Sequence, residues 1–506
     1  MFSPHSRRSF LAAGGATLLS PGGAFAQGHG HDGMRMPSTA PSRPRVETAP
    51  ATNGDADHRI DIRTGVVELG KGVAVSTKTY NGAFPGPFLR LTQGKRVTVD
   101  IHNDTDTPEQ LHWHGFFLDA ETDGAAEEGS PYIPARGMRR VSFTPAPSGC
   151  RFYHTHMMAG ADLSLGSYNG QAGIAYVEPR NEPGAYDREV FLILKEFGAY
   201  FNNMEMTAGF LAPRERLTEL YDLDQVNIKA ARERGQGPGY GVGYSFHTIN
   251  GRMHGEGEPI RVRAGERVLF HIVNASATDI HGLGLPNHVF RVVALDGNPV
   301  PTPAEVPVVW IASAERVSAI VEMKSPGVWT LGDLDKEARA RGMGIVIEYA
   351  NEKGLADWDQ PARFFWDYRR FARPGSNARA PDETIEMTFA TQYSARDGFD
   401  VFTINGRPFS MDTMEPKFPI RLGRRYRLKM RNATDDVHPV HLHRHSFEIT
   451  SVAGQPTSGV IKDVAMIGAF QEMTIDFTAD QPGRSLFHCH MQQHMDFGFM
   501  ALFDCG

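Results

Sequence analysis

The residues best equipped for chemistry are histidines in four short groups, with one cysteine among them. His112 and His114 flank a tryptophan, and His154 and His156 flank a threonine. Near the C-terminus stand His438, His441 and His443, then His488-Cys489-His490 followed by His494. A thiolate with several imidazoles is the donor set that copper favours. Two histidines and one cysteine with a weak fourth partner is the blue-copper arrangement.

On extended chain, successive side chains point to opposite faces. His488 and His490 then face one way and Cys489 the other. Upstream, His441 and His443 share a face that His438 does not. Two metal centres back to back follow. Cys489 and His438, with His494 from the turn beyond, make a mononuclear site. His441, His443, His488 and His490 meet His112, His114, His154 and His156 at a second, with enough imidazoles for three coppers. Main-chain bonds join Cys489 to both neighbouring histidines, a covalent route for electrons. Such wiring suits one-electron oxidation of a donor coupled to four-electron reduction of dioxygen.

The groups read His112-Trp113-His114-Gly115, His154-Thr155-His156, His438-Pro439-Val440-His441-Leu442-His443 and His488-Cys489-His490 to His494. In that order they resemble the four signatures of the multicopper oxidases, the laccase and ascorbate oxidase superfamily. The resemblance implies four copper ions, one type 1, one type 2 and two type 3. It makes His438, Cys489 and His494 the type 1 ligands and His112 and His441 the type 2 pair. His114, His154, His156, His443, His488 and His490 would hold the type 3 pair. It also implies that Asp123 helps move protons to oxygen at a buried site, since reduction to water consumes protons. The competing reading puts Asp123 on the surface, in an acidic loop with Glu121, Glu127 and Glu128. Just beyond His494 the family often carries a Glu where this chain has Met495, and Asp496 is the nearest substitute. Counted as in the family, Phe499 falls at the axial position of the type 1 site, where relatives with Met have a weak thioether. A side chain that cannot coordinate favours Cu(I) and a high potential. Met500, one position on, should face away.

Three related units must position these groups. Phe246-His247-Thr248-Ile249-Asn250-Gly251-Arg252 recurs as Val401-Phe402-Thr403-Ile404-Asn405-Gly406-Arg407, with a shorter echo at Thr79-Tyr80-Asn81-Gly82. After each comes a β-rich run ending in Asn-x-Ser/Thr, at Asn103, Asn274 and Asn432. Repetition on this scale marks related structural units, and short alternating strands between Gly and Pro turns read as β-sandwiches. The expected fold is all-β, with three Greek-key sandwiches that resemble cupredoxin domains. Aligning Asn274 with Asn432 puts Gly284 where His441 stands and Pro286 where His443 stands; Gly332 and Leu334 replace two further histidines. The middle unit therefore lacks copper ligands, and His281 and His288 read as ordinary histidines. The cluster should lie between the first and third units, with the second as a spacer and possible substrate wall.

The domain expectation is 1–26 signal peptide, 27–55 disordered leader, 56–180 first sandwich, 181–350 second, 351–382 linker and 383–506 third. Ser6-Arg7-Arg8-Ser9-Phe10-Leu11, a short apolar run and Ala24-Phe25-Ala26 read as a twin-arginine signal with its cleavage site. The Tat export machinery is then a partner, and the destination is periplasmic or secreted. The apolar run is too short for a stable membrane span. His and Met in Gly28 to Met36 could hold copper weakly, although a flexible tail is the preferred reading. A net charge of -7 and a pI near 6.3 argue against a nucleic-acid partner. Beside Cys489 the chain has Cys150 and Cys505. These are read as free thiols, with a disulfide, as in some family members, the alternative.

Three functions remain in view. The first is a laccase-like oxidase taking electrons from phenols or aromatic amines beside the type 1 site, through His494 or His438. The second is a periplasmic cuprous oxidase acting on Cu(I) in copper tolerance, although the chain's 20 Met form no long Met-rich segment. The third is a copper-free cell-envelope scaffold, which the complete ligand set argues against.

Overall fold

The structure, a computed structural model, describes residues 54–179, 185–202, 211 and 217–506. The signal peptide, nearly all of the leader and its His/Met stretch lie outside these residues. Among the described residues no helix is long and apolar enough to cross a membrane.

The described residues build six sheets, two per unit, and the strand order repeats. In the third unit a six-stranded sheet runs Phe399–Ile404, Glu383–Arg396, Arg425–Ala433, Glu472–Thr478, Phe447–Val452, Gln455–Lys462. Its partner runs Lys417–Ile420, Met500–Cys505, Gly483–Cys489, His438–Leu442, Val464–Ile467. The middle unit has the same two orders, from Gly241–Ile249 through Asn298–Val306 and from Ile260–Val262 through Val308–Ile311. The first unit keeps four strands of each sheet. Alternation explains the layering: Val97–Asn103 and Arg425–Ala433 bury every second residue, placing one face of each strand in the core. Ile60, Val99, Trp113 and Phe143 fill the first unit. The middle and third units share one continuous apolar cluster.

The sequence repeats have local physical roles. Asn81, Asn250 and Asn405 hold φ of 55°, 54° and 53° and each precedes a glycine of positive φ, the two-residue turn for which Asn-Gly is suited. Asn103, Asn274 and Asn432 are fully buried. Each accepts from a backbone N–H two residues on and donates to two separate backbone carbonyls. The loop leading into each histidine-bearing strand, or its middle-unit counterpart, is thereby pinned.

Register shows what the middle unit has lost. His112 faces His154, His441 faces His488, and at the equivalent place Gly284 faces Gly332. By the same register His281 and Asp333 stand where the third unit has His438 and Cys489. Buried His281 is bonded at 2.7 Å to Asp333 through Nδ1 and at 2.7 Å to Glu196 through Nε2. Burial opposes its charge, yet these carboxylates raise its pKa well above the ordinary value. An ion triad fills the position.

Residues 351–382 are more than a tether. Trp366, Tyr368 and Phe371 are buried, and the Tyr368 hydroxyl donates to Glu315 and accepts from Met466 N–H, joining the middle and third units. The helix Thr218–Glu233 packs on strands Glu383–Arg396 and Arg425–Ala433 of the third unit. Cys150 and Cys505 are buried free thiols.

Candidate metal centres

Strands His438–Leu442 and Gly483–Cys489 pair with Val440 opposite Cys489. One face of this pair carries the small site. Cys489 Sγ lies 3.6 Å from His438 Nδ1 and 3.5 Å from His494 Nδ1, and the two nitrogens are 3.1 Å apart. The short helix Gln492–Asp496 brings His494 back to its cysteine. Phe499 is fully buried with its ring 4.7 Å from that of His438; Phe389 and Phe402 complete an aromatic wall. Met500 turns away into a cluster with Phe409, Leu486 and Met495. His438 is fully buried, whereas the His494 side chain is 11% exposed.

The opposite face holds the eight other histidines, all buried. His114, His154 and His490 form one group of converging ring nitrogens, His156, His443 and His488 a second, and His112 meets His441 in a third that shares His114. Hydrogen bonds choose the inward nitrogen of most rings. Nδ1–H donates to a carbonyl from His112 (Asp123), His154 (Thr155), His441 (Asp463) and His488 (Cys489). From His443 it goes to the Asp123 carboxylate and from His490 to Ser313 Oγ. Each of these rings therefore presents the Nε2 lone pair. His114 is reversed: its Nε2–H meets Asp463 Oδ1 at 3.1 Å, so Nδ1 faces inward.

The donor set fits copper. Nε2 of His443 and Nε2 of His488 stand 3.0 Å apart, and His114 Nδ1 is 3.4 Å from His154 Nε2. With the outer nitrogens already donating, these inner pairs turn lone pair toward lone pair, an arrangement a cation between them stabilises. His112, His441 and His490 leave Nε2 buried without a hydrogen bond. Burial holds His114, His154, His156, His438, His441, His443, His488 and His490 well below the ordinary histidine pKa. His494 is lowered to about 3. They are neutral near pH 7, as ligands must be. Burial also pushes the Cys489 thiol up, so its ionisation calls for a metal's charge.

Acids surround the cluster. Asp123 is fully buried, with Oδ2 at 2.9 Å from His443 Nδ1 and 3.0 Å from His112 Nδ1. The surface-loop alternative for it does not hold. Glu127 and Glu128, read with that loop, are buried too: Glu127 lies 3.6 Å from His156 Nδ1, and Glu128 3.6 Å from His443 Nδ1. Burial pushes Glu127 up to about 7 and Glu128 well above the usual range. Asp496 is likewise raised by burial to about 7, but it accepts hydrogen bonds from Ala159 N, Gly160 N and Gln492 Nε2. It pins that loop.

Sequence reading missed the charges behind the cluster. Arg151, Arg316 and Lys462 meet Asp296, Glu315 and Asp463, all buried, where the three units join. Cations and anions balance, as burial demands; removing one partner of such a pair costs about 3–5 kcal/mol. Lys462-Asp463 between apolar residues was the one available signal. The middle unit, expected as a spacer, sends Ser313 to His490 and Arg316 to the acid that holds His114.

Paired sandwiches carrying a cysteine–histidine site beside an eight-histidine cluster define a copper-protein architecture. Profiles described as multicopper oxidase match residues 61–182, 216–345 and 379–505. The chain belongs to the multicopper oxidase family and is an oxidoreductase with the cupredoxin-like three-domain fold. Multicopper oxidase MmcO of Mycobacterium tuberculosis (strain ATCC 25618 / H37Rv) is 28% identical over 519 residues, 99% of this chain and 96% of that one. A multicopper oxidase structure from Pseudomonas thermotolerans superposes with TM-score 0.64 at 24% identity, covering 89% of this chain and 100% of that one. Fet3p, a multicopper oxidase that functions in iron import, gives 0.70 at 18%, covering 88% and 90%.

Proposed function

We propose that the chain oxidises a one-electron donor beside His438, Cys489 and His494, the type 1 ligands, and reduces dioxygen to water among the other eight histidines. His112 and His441 are assigned to the type 2 ion; His114, His154 and His490, and His156, His443 and His488, to the type 3 pair. When bound, copper supplies one-electron redox chemistry at the first site and dioxygen reduction at the second. The single observation that carries this reading is the back-to-back placement of the two donor sets on adjacent residues, with Cys489 Sγ on one face and His488 and His490 on the other. The backbone at Cys489 is the direct link between them. Asp123 orients His112 and His443 and is the acid placed to deliver protons.

His494 is the entry point for electrons, because its imidazole is the partly exposed one of the type 1 pair. Phe499 supplies no axial donor. Phe499→Met offers a thioether and should lower the type 1 potential by stabilising Cu(II). A redox titration showing no drop would remove Phe499 from the axial position.

The rim around His494 is acidic. Asp436 lies 4.0 Å from His494 Nε2, Asp435 is exposed beside it, and both Asp435 and Asp224 accept from the Tyr393 hydroxyl. Met491, Met495 and Met500 are buried and form no thioether surface. The rim selects by charge and favours a cationic donor such as Cu(I) over an anionic one. The Asp435→Asn, Asp436→Asn double variant should lower kcat/KM for Cu(I) about tenfold, the effect of roughly 0.7 kcal/mol per surface charge. Rates with a neutral phenol should move less than about twofold. Equal losses with both donors would contradict charge selection.

Export by the twin-arginine route to the periplasm or beyond, with the domain limits given above, completes the proposal. It rests on Ser6 to Ala26, outside the described residues.

A further inference from the structure

We propose that Arg316, from the domain that holds no copper ligand, is a positioning residue for the trinuclear site: it orients Asp463 so that His114 must bind through Nδ1. Arg316 Nη1 and Nη2 reach Asp463 Oδ1 and Oδ2 at 2.5 and 2.6 Å. Arg151 Nη1 reaches Oδ2 at 3.1 Å, and His114 Nε2 reaches Oδ1 at 3.1 Å. A carboxylate offers about four acceptor positions, and here each has its donor. The guanidinium fork fixes the plane of the carboxylate, and that plane aims Oδ1 at His114.

The consequence is a choice of tautomer. Nε2 of His114 must be the protonated nitrogen, so its Nδ1 carries the lone pair that faces His154 Nε2. The Asp463 carbonyl also takes Nδ1–H of His441 at 2.7 Å, so the same residue selects opposite nitrogens on two neighbouring rings. Those rings stack with centroids 3.9 Å apart, and a tilted carboxylate would disturb both.

A second observation comes from the ligand motif itself. Gly115, which follows His114, holds φ +80°, and a Cβ there would lie 2.6 Å from Arg316 Nη2 and 2.8 Å from Asp463 Oδ2. The glycine leaves room for this ion pair against the ligand strand. Beside it Ser313, also from the middle domain, donates to Ser276 O at 2.6 Å, so its oxygen accepts Nδ1–H of His490 at 3.1 Å. The domain without copper thus sets the binding nitrogen of two ligands in the group His114, His154, His490. Asp296 links this device to the third domain by accepting from Arg316 N, Asp463 N and Val464 N.

The inference rests on the trinuclear reading of the eight histidines. Its test is copper retention in the holoprotein, with Arg316→Lys, which keeps the charge and loses the fork, and Ser313→Ala, which is milder. Outer partners of metal-binding histidines are worth roughly 10–100-fold in metal affinity. Competition against a chelator should therefore show cluster copper lost at least about tenfold more readily from Arg316→Lys, and measurably from Ser313→Ala. The type 2 electron paramagnetic resonance signal should change while the type 1 band and its copper stay as in the parent. Parental copper retention and spectra in both variants would overturn the proposal. So would joint loss of type 1 and cluster copper with an equal fall in apoprotein Tm, the mark of a purely structural residue. If Arg316→Lys does not fold, Ser313→Ala decides by the same readouts. A parent protein that loads only type 1 copper would instead refute the trinuclear reading.

Discussion

Cys489→Ser is expected to abolish the blue colour and reduce donor-driven turnover to background while most cluster copper remains. The colour of a two-histidine, one-cysteine site comes from its thiolate, which a hydroxyl cannot replace. Sγ contacts His438 and His494 on its own face, and the ring hydrogen bonds that seven of the cluster histidines make do not involve it. Absorption spectra and copper analysis of the purified variant check this. Retention of the intense charge-transfer band would remove Cys489 from the type 1 site, and loss of all copper would mean that the two centres load as one.

Asp123→Asn separates the two half-reactions. Donor reduction of the proposed type 1 site, on the opposite face, should proceed at the parental rate. Reoxidation by dioxygen should slow by roughly a hundredfold or more, the effect of losing a positioned proton donor. Because Asp123 Oδ2 also holds the His443 ring at 2.9 Å, Asn is the informative replacement: its amide oxygen can still accept that N–H, so copper content should hold. Asp123→Ala should in addition weaken cluster copper by roughly 10–100-fold. Stopped-flow traces with slowed type 1 reduction and normal reoxidation would contradict the assignment.

Most of the candidate site was legible in the sequence because its donor residues are local. Strand parity around Cys489 and His441 separates two faces over a few residues, and the matching Asn103 and Asn432 spacings announce the repeat. The middle domain's losses at Gly284 and Gly332 could be read the same way, and register places them opposite each other. What could not be read was long-range. Asp463 lies more than three hundred residues from the His114 and Arg151 it meets, and nothing in the segment around Arg316 or Ser313 has ligand spacing. Glu127 and Glu128 look like loop acids until their burial is known, because polarity alone does not report which face of a turn meets the cluster. The ion triad at His281 was hidden for the same reason: Glu196 and Asp333 are distant in the chain.

The most direct test of the account is the metal content of the purified holoprotein, with its visible and paramagnetic resonance spectra. About four coppers per chain are predicted, one of them blue, from one cysteine–histidine site and one three-copper cluster. A protein that takes up a single copper, or none, with all eleven donors intact would contradict it.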